Sequence, residues 1–337
     1  MSENILTVKD LKTYFYTASG IAKAVDGVSF NIAKGETMGI VGESGSGKSV
    51  TSRSIIRLLP PRTGKIVGGS IEFEGKDVLA LSKKELNDFR GKDIAVIFQD
   101  PMTSLDPVFK IGKQMTEMIM AHQNVTKDEA WKMAVEALSK VGIPEPEKRM
   151  NSYPYELSGG MCQRVIIAMA VCCKPKLIIA DEPTTALDVT VQAQVLELLK
   201  ELQRDMDTAI LLITHNLGVV WEMCDKVMVM YAGNTVEFTD TKTLYSNPRH
   251  PYTWGLLDSM PKLSDESKGE LKTIPGTPPD LRLTGKCCNF YNRCPYVTEA
   301  CTQSVPPLVE VEPGHFVACH RQNLTNKLEK GEGLKDE

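Results

Sequence analysis

A glycine-rich octapeptide, GESGSGKS at Gly42–Ser49, carries residue types suited to holding phosphate groups. It matches the pattern G-x-x-x-x-G-K-[ST], follows the apolar run Met38–Val41 and precedes a helical pattern at Ser49–Leu59, which is the context this motif requires. Glycines let successive backbone N–H groups converge on phosphate oxygens, and a helix N-terminus adds positive potential. We expect Lys48 to reach the β- and γ-phosphates and Ser49 to place its hydroxyl on Mg²⁺. The motif predicts a nucleotide triphosphate site.

Two acidic residues, Asp181 and Glu182, follow the apolar run Leu177–Ala180. Ligands bind at the carboxyl ends of strands in parallel sheets. Asp181 is therefore expected to hold Mg²⁺ through water, and Glu182 to orient and deprotonate the attacking water. An acidic pair in this place also suits a helix N-cap. With a phosphate loop upstream, hydrolysis of a bound nucleotide is the better interpretation.

Two further polar residues close neighbouring apolar runs. Gln99 follows the run Ile94–Phe98, and His215 follows the run 209–214. We expect Gln99 to bind Mg²⁺ or the attacking water. His215 is expected to contact a γ-phosphate oxygen, and a capping histidine is the alternative.

The elements that must position these residues are short apolar runs rich in Val and Ile, which suit strands buried on both faces of a parallel sheet. These runs are Met38–Val41, Ile94–Phe98, Leu177–Ala180, Ile210–Ile213 and Val227–Tyr231. The first 35 residues instead alternate apolar and polar positions in short bursts, which indicates antiparallel strands. The sequence predicts an α/β fold.

Helical patterns lie between the runs. Val195, Leu198, Leu199 and Leu202 fall on one face of a predicted helix at Gln194–Arg204. Thr126, with Glu129 three residues on, forms a capping-box pattern that starts another helix ending near Gly142. About eighty residues separate the runs at 94–98 and 177–180, which is too long for a simple crossover. We therefore expect an inserted helical subdomain at about 100–160.

The amino-acid composition changes after residue 245. Proline becomes frequent and five of the nine cysteines fall between Cys287 and Cys319. We expect residues 1–245 to form a nucleotide-binding domain, 246–323 a small irregular C-terminal domain, and 324–337 a solvated tail. In a reducing compartment such a cysteine cluster favours a metal site over disulfides, and four thiolates suit an iron–sulfur cluster or zinc alike.

Composition narrows the class of protein. Hydrophobic residues make up 42% and charged residues 24% of the 337, as in ordinary globular proteins. A formal net charge of −4 does not favour a nucleic-acid partner. No apolar run is long enough to span a bilayer, and the start MSENILTVKD lacks the pattern of a secretory signal. We expect a cytoplasmic location, with any membrane role reached through a partner.

The segment LSGGMCQR at Leu157–Arg164 resembles the LSGGQ signature of ABC ATPases, with Met161 where Gln is commoner. Its Ser158 and two glycines offer a second anion cradle at a helix N-terminus. The resemblance implies a P-loop NTPase core with an antiparallel β subdomain, an inserted helical subdomain and a C-terminal metal-binding domain. It also implies that two ATPases, copies or paralogues, pair head to tail, each signature binding the γ-phosphate held by the other.

The resemblance extends to the ordered set of phosphate loop, Gln99, signature, Asp181-Glu182, Ala186-Leu187-Asp188 and His215. Phe15, flanked by Tyr14 and Tyr16, is assigned to adenine stacking, and the register among the three stays open. The catalytic assignments are Glu182, His215 and Gln99, and those for Mg²⁺ are Ser49, Gln99 and Asp181. The residues assigned to ATP are Phe15, Tyr16, Gly42, Ser44, Gly45, Ser46, Gly47, Lys48, Ser49, Val50, Gln99, Ser158, Gly159, Gly160, Asp181 and Asp188.

Two further segments, NPRHPYT at Asn247–Thr253 and FQDPMTSL at Phe98–Leu105, are typical of dipeptide and oligopeptide (or nickel) importer ATPases. The resemblance implies a subunit at the cytoplasmic face of the membrane that drives two transmembrane permease subunits, served by an extracytoplasmic peptide-binding protein. Gln99 and the helical subdomain would face the permease. A soluble ABC ATPase of DNA repair or translation is the alternative, although the chain has one phosphate loop and no sustained heptads.

The same resemblance concerns the cysteine cluster. The importers' four-cysteine motif corresponds to Cys288, Cys294, Cys301 and Cys319, which in that family carry a 4Fe-4S cluster. The spacing lacks the paired CxxC of zinc ribbons, so zinc is the less favoured alternative. Cys287 is an extra thiol that could substitute for Cys288. A structural or regulatory role is expected, because four thiolates leave no open position.

Overall fold

The structure is a computed structural model that describes residues 3–185, 187–260 and 273–321. It divides into two compact units. Unit 1 is formed by described residues within Met1–Ile5, Ile32–Thr37 and Glu74–Leu212, and unit 2 by those within Leu6–Asn31, Met38–Phe73 and Ile213–Glu337. Ala186 and the expected tail 324–337 lie outside the described residues.

Strands and helices alternate through most of the chain. The described strands are β1 (Asn4–Thr17), β2 (Gly20–Ala33), β3 (Thr37–Val41), β4 (Gly64–Phe73), β5 (Lys76–Asp77), β6 (Ile94–Ile97), β7 (Leu177–Asp181), β8 (Ala209–Thr214), β9 (Lys226–Tyr231), β10 (Asn234–Asp240), β11 (Val309–Glu312) and β12 (His315–Val317). The described α-helices are α1 (Lys48–Ile55), α2 (Lys83–Asp88), α3 (Pro101–Ser104), α4 (Ile111–His122), α5 (Lys127–Lys140), α6 (Pro146–Arg149), α7 (Gly159–Cys172), α8 (Val189–Met206), α9 (Leu217–Met223), α10 (Thr241–Ser246), α11 (Pro251–Asp258) and α12 (Glu299–Gln303).

Unit 2 contains the antiparallel strands predicted at the start of the chain. β1 lies between β2 and β4 and runs antiparallel to β4. Five further strands lie side by side in the order β11-β12-β10-β9-β3, in which β3 and β9 are parallel. Core residues of β3 and β9 pack together with Tyr252 and Phe290. Both belong to the C-terminal segment, which is the described part of residues 246–323. The expectation of antiparallel strands at the start is confirmed.

The C-terminal segment contains more regular structure than its proline-rich composition predicts. β12 runs antiparallel to β10, and β11 antiparallel to β12. α11 and α12 belong to the same segment. β11 and β12 have four and three residues, which is too short for alternation to be recognised in the sequence.

Unit 1 places β8, β7 and β6 side by side. β6 and β7 are parallel, with Ile94 opposite Leu177, and every residue of β7 and β8 is buried. Continuous apolar runs do form fully buried strands here, as predicted. Helix α8 buries the predicted face with Val195, Leu198, Leu199 and Leu202.

Five helices, α3 to α7, lie between β6 and β7 along the chain. α4 packs on α5, and α5 on α7. The predicted capping box of α5 is present: the Thr126 hydroxyl accepts from Glu129 N (3.4 Å) and the Glu129 carboxylate from Thr126 N (2.7 Å). Within the described ranges, no helix combines the length and apolarity needed to cross a bilayer.

Helix α1 ends four residues before the predicted Leu59, at Ile55. Arg57 adopts a left-handed backbone (φ 54°), and the N–H groups of Arg57 and Leu58 bond to the carbonyls of Ser54 and Arg53. This is the Schellman pattern that closes a helix, formed here without the usual glycine. The absence of that glycine explains why the prediction extended the helix too far.

Candidate nucleotide-binding site

The phosphate loop (Gly42–Ser49) joins β3 to α1 in unit 2. Gly42 and Gly47 both have positive φ, at 151° and 106°. A Cβ atom at Gly42 would lie 2.2 Å from the carbonyl oxygen of Met230, and one at Gly47 would lie 2.3 Å from that of Ala24. Any side chain would therefore collide with backbone that cannot move aside. Glycine is required at both positions for steric reasons as well as for φ.

Two polar side chains of the loop are ready for an anionic ligand. The Lys48 ammonium is buried and donates to the carbonyls of Gly42 (2.7 Å) and Glu43 (2.9 Å). The buried Ser46 hydroxyl has no hydrogen-bond partner among the described residues. Burying a hydroxyl without a partner is costly, and a phosphate oxygen would satisfy it. The loop therefore fits a nucleotide phosphate.

The open side of the loop belongs to its remaining residues. Ser44 and Gly45 are exposed, and a Cβ at Gly45 would meet nothing within 4 Å. Ser49 and Val50 lie in the first turn of α1. The N-cap residue of this helix is Gly47, which supplies no capping side chain. The first N–H groups of α1 thus receive no side-chain cap, as at anion-binding helix N-termini.

In unit 1, Asp181 and Glu182 stand at the carboxyl end of β7. Asp181 is buried, and Glu182 has a left-handed backbone with φ 50°. One carboxylate oxygen of Glu182 accepts hydrogen bonds from the Gln99 amide (2.9 Å) and from the Thr185 hydroxyl (2.9 Å). The parallel pairing of β6 and β7 brings Gln99 to Glu182. Thr185 was not identified from the sequence, and its position three residues after the acid is the available signal.

The signature turn caps α7 in unit 1. The Ser158 hydroxyl accepts from Met161 N (3.3 Å), and Ser158 and Gly159 are exposed. A Cβ at Gly160 would lie 2.8 Å from Cγ1 of Val191 on α8. Asp188 caps α8 by accepting from Val191 N (2.9 Å). Two helix N-termini thus lie close together, with the signature serine exposed to other molecules.

The remaining predicted contacts of the nucleotide lie in unit 2. His215 follows β8 in the chain and is exposed. The Tyr14 hydroxyl donates to Asp26 (2.7 Å), whereas the Tyr16 ring is 40% exposed. The Phe15 ring lies beside Gly64, where an added Cβ would be 3.1 Å away. Tyr14 thus already has a hydrogen-bond partner, while the partly exposed Tyr16 ring has the Lys65 ammonium 5.3 Å from its centroid.

The four predicted cysteines, Cys288, Cys294, Cys301 and Cys319, all line one enclosed cavity of ≈ 10 Å³. Burial raises the pKa of Cys288 to about 12 and that of Cys294 to about 11, because a thiolate is poorly solvated there. Cys287 does not line this cavity. The described residues contain no group of three or more His, Cys, Asp or Glu side chains spaced for a metal ion. The donor chemistry fits a thiolate-bound cluster, although the thiols are not at ligand spacing.

The class of protein follows from three features, which together define an ATPase of the ABC class. They are a phosphate loop, a buried strand that ends in an acid pair, and an SGG turn that caps a helix. The family model described as "ABC transporter" matches residues 25–185, and that described as "Oligopeptide/dipeptide transporter, C-terminal region" matches 236–301. Among solved structures, a dimeric post-hydrolysis state of the ATP-binding cassette MJ0796 bound to ADP and Pi is similar at TM-score 0.63 and 27% identity, covering 70% of this chain and 98% of that one. CbiO1 of Clostridium perfringens is similar at TM-score 0.62 and 29% identity, covering 73% and 92%.

Curated relatives are closer still. The oligopeptide transport ATP-binding protein OppD of Bacillus subtilis is 54% identical over 313 residues, covering 93% of this chain and 87% of the relative. The dipeptide transport ATP-binding protein DppD of the same organism is 50% identical over 321 residues, covering 95% and 96%. The chain belongs to the family of ATP-binding subunits of oligopeptide and dipeptide ABC transporters. These findings give no support to the alternative of a repair or translation ATPase.

Proposed function

We propose that this chain binds and hydrolyses ATP to power the import of dipeptides or oligopeptides through a membrane ABC transporter. The observation that carries the proposal is the union, in one chain, of a complete phosphate loop with a C-terminal region of the oligopeptide/dipeptide transporter type. The unsatisfied Ser46 hydroxyl supports ATP binding, as do Gly42 and Gly47, where a side chain would collide with backbone. The near full-length identity to peptide-transport ATPases supports the cargo class.

The roles follow from the residue chemistry. Lys48 and the loop N–H groups bind the phosphates, and Ser49, Gln99 and Asp181 hold Mg²⁺, which neutralises phosphate charge when bound. Glu182 accepts the proton of the attacking water, supported by the two hydrogen bonds that fix its carboxylate. His215 contacts the γ-phosphate.

The adenine ring stacks on an aromatic side chain of β1. Phe15 and Tyr16 are the candidates, and the exposed ring of Tyr16 supports its inclusion.

The proposed partners are a second ATPase, two permease subunits and a peptide-binding protein. A second ATPase, either a copy or a paralogue, pairs head to tail so that Ser158, Gly159 and Gly160 bind the other chain's γ-phosphate, and Asp188 lies at the same junction. The exposure of Ser158 and Gly159 supports this role. The helical subdomain at about 100–160 contacts two permease subunits at the cytoplasmic face of the membrane, where the chain is peripheral. A peptide-binding protein delivers cargo from the other side.

The test is to purify the chain with the permease subunits from the neighbouring locus and to assay ATP hydrolysis in membranes. We expect a peptide-loaded binding protein to stimulate hydrolysis, and the empty binding protein to stimulate it less. The same complex with Lys48→Ala serves as the control for contaminating ATPases. A chain that purifies without membrane proteins and does not respond to peptide would contradict the proposal and favour the soluble alternative.

We also propose that residues 246–323 form a domain in which Cys288, Cys294, Cys301 and Cys319 hold a 4Fe-4S cluster, with zinc as the alternative. Their convergence on one cavity, which excludes Cys287, supports the assignment. When bound, the cluster would cross-link the segment. Protein purified without oxygen should contain iron and sulfide and absorb visible light. Cys288→Ser should remove the iron and Cys287→Ser should retain it; colourless protein containing zinc alone would exclude the cluster.

A further inference from the structure

Glu43, the second residue of the phosphate loop, is held by two side chains from the C-terminal segment of unit 2. Its carboxylate oxygens accept from both terminal nitrogens of Arg293, at 2.6 Å and 2.9 Å. Its backbone N–H donates to the hydroxyl of Tyr252 at 2.8 Å. Its carbonyl accepts from Lys48 at 2.9 Å. The side chain, the N–H and the carbonyl of one loop residue are therefore all fixed.

The side chain of Arg293 is buried and is held in place by several hydrogen bonds. Its side chain is 4% exposed, against 29% for Glu43. The guanidinium donates in addition to the carbonyls of Pro275 (2.8 Å) and Ile274 (3.1 Å), and it lies 3.4 Å from the Tyr231 hydroxyl. All five N–H groups thus have acceptors. A guanidinium fixed on every side presents its fork to Glu43 in one orientation.

Tyr252 is equally constrained. Its ring is fully buried and packs against Tyr231 (centroids 4.6 Å apart) and Phe290 (5.4 Å). Phe290 stands two residues after Cys288, and Arg293 directly precedes Cys294. Arg293 and Tyr252, which hold the phosphate loop, are therefore both fixed by contacts within the C-terminal segment, close to its cysteines.

We infer that Arg293 and Tyr252 are positioning residues for the phosphate loop, which set its affinity for ATP by holding Glu43. A glycine-rich loop has many conformations available, and one that is fixed before binding loses less entropy when it closes on phosphate. The bidentate ion pair restrains the side chain, and the tyrosine hydroxyl restrains the main chain. The inference rests on the ATP-binding part of the proposed function and is independent of cargo and of the cysteine ligand.

The test measures the affinity of the purified full-length chain for a fluorescent ATP analogue with Mg²⁺, together with thermal unfolding without nucleotide. Arg293→Met and Glu43→Gln should each weaken binding by about tenfold, the usual scale for a charge-assisted pair. Tyr252→Phe keeps the ring packing and should weaken binding by about fivefold, the scale of one neutral hydrogen bond. Arg282→Met is the matched control, because Arg282 pairs with Asp280 in the same segment without contacting the loop.

A double-mutant cycle separates positioning from general stabilisation. If Arg293 acts through Glu43, the variant carrying both Glu43→Gln and Arg293→Met should bind ATP no more weakly than either single variant. Additive losses, or single variants within about twofold of wild type, would overturn the inference. Glu43→Gln and Tyr252→Phe keep it testable if Arg293→Met fails to fold. The wild-type titration reports on the proposed function separately, because failure of the unchanged chain to bind ATP would count against that function instead.

Discussion

Among single residues, Glu182 is the proposed base, and two hydrogen bonds fix its carboxylate. Its backbone is left-handed, and Gln99 and Thr185 donate to the same side-chain oxygen. The second oxygen receives neither of these bonds. A carboxylate fixed in this way presents a defined lone pair to an attacking water molecule.

Replacing Glu182 with Gln should lower ATP turnover by about a hundred- to ten-thousand-fold, because the amide has no basic oxygen to take the proton. ATP affinity should stay within about twofold, since shape and hydrogen bonding are largely kept. Turnover and nucleotide binding are measured on the same preparation. Glu197→Gln, on the exposed face of α8, is the control and should leave both unchanged. Substantial hydrolysis by the Glu182 variant would remove this residue from the role of base.

Gly47→Ala should abolish detectable ATP binding. The φ of 106° strains any side chain, and the new Cβ would lie 2.3 Å from the Ala24 carbonyl, so the loop must shift. Gly75→Ala is the matched control: its φ of 76° is also positive, but its Cβ would meet nothing within 4 Å. That control should lose about 1 kcal/mol of stability and keep its ATP affinity. Equal affinities for the two variants would contradict the steric argument.

The sequence alone singles out Lys48, Glu182 and Ser158 as candidates, because each belongs to a short motif with a characteristic spacing. It did not locate Thr185, Arg293 or Tyr252. Arg293 and Glu43 are 250 residues apart, and no local pattern links an arginine beside a cysteine to a loop glutamate at that distance. Contacts that depend on tertiary packing leave no signal in a single chain.

Among elements, the N-terminus of α7 contains a serine with one observed role and one proposed role. The Ser158 hydroxyl caps the helix and is also the group proposed to bind a partner's nucleotide. Ser158→Ala should cost about 1 kcal/mol of unfolding free energy through the lost cap. It should also slow ATP hydrolysis by the assembled transporter. ATP affinity of the isolated chain should not change.

Ser82→Ala provides the matched comparison, since Ser82 caps α2 in the same unit with a full capping box. The control should lose similar stability and keep full hydrolysis. Thermal unfolding and ATPase assays of both variants decide the outcome. If both variants hydrolyse ATP equally, Ser158 is only a cap.

Helix α11 is capped by the buried His250, whose ring nitrogen accepts a hydrogen bond from Tyr252 N (3.1 Å). Burial lowers the pKa of His250 from 6.5 to about 4, because the charged ring is poorly solvated there, and the nearby Glu237 charge only partly opposes this effect. The unfolded chain binds this proton below pH 6.5 and the folded chain only near pH 4. Stability should therefore fall as pH decreases between these values, by about 3 kcal/mol at most.

His250→Asn keeps a capping acceptor and lacks the titrating ring. The variant should lose less unfolding free energy than wild type over the same range, as measured by urea denaturation at several pH values. Glu237 and His315, which hydrogen-bond to each other beside this helix, are present in both proteins, so the difference reports on the His250 ring together with its interaction with Glu237. Parallel profiles for the two proteins would show that His250 does not carry the effect.

Five strands, β3 and β6 to β9, were predictable to within one or two residues because continuous apolar runs bounded by polar residues define their length. Helix α1 and strands β11 and β12 were not. A left-handed arginine ends the helix. The short strand β12 depends on pairing with β10, and β11 depends on pairing with β12. Local sequence predicts elements whose own apolar pattern defines them. Elements that form only by pairing or packing with distant segments can be identified only from the three-dimensional structure.

In the whole molecule, the sequence-based division into domains and the division by contacts follow different principles. The phosphate loop and the C-terminal segment, at opposite ends of the sequence, belong to one compact unit. The acid pair Asp181 and Glu182 and the signature belong to the other. A change in amino-acid composition along the chain can indicate a domain boundary, but it does not show which distant segments share a hydrophobic core.

The exposed signature turn leads to a prediction about assembly. If each ATP is enclosed by the phosphate loop of one chain and the signature of another, hydrolysis is second order in ATPase chains at low concentration. Turnover per chain should then rise with protein concentration, or on adding the paralogous ATPase, and level off when association is complete. Dilution series of ATPase activity, with particle size measured by light scattering in the same samples, test this. Constant turnover per chain in samples containing only monomers would rule out a shared nucleotide site, because a lone chain would then supply every group that hydrolysis requires.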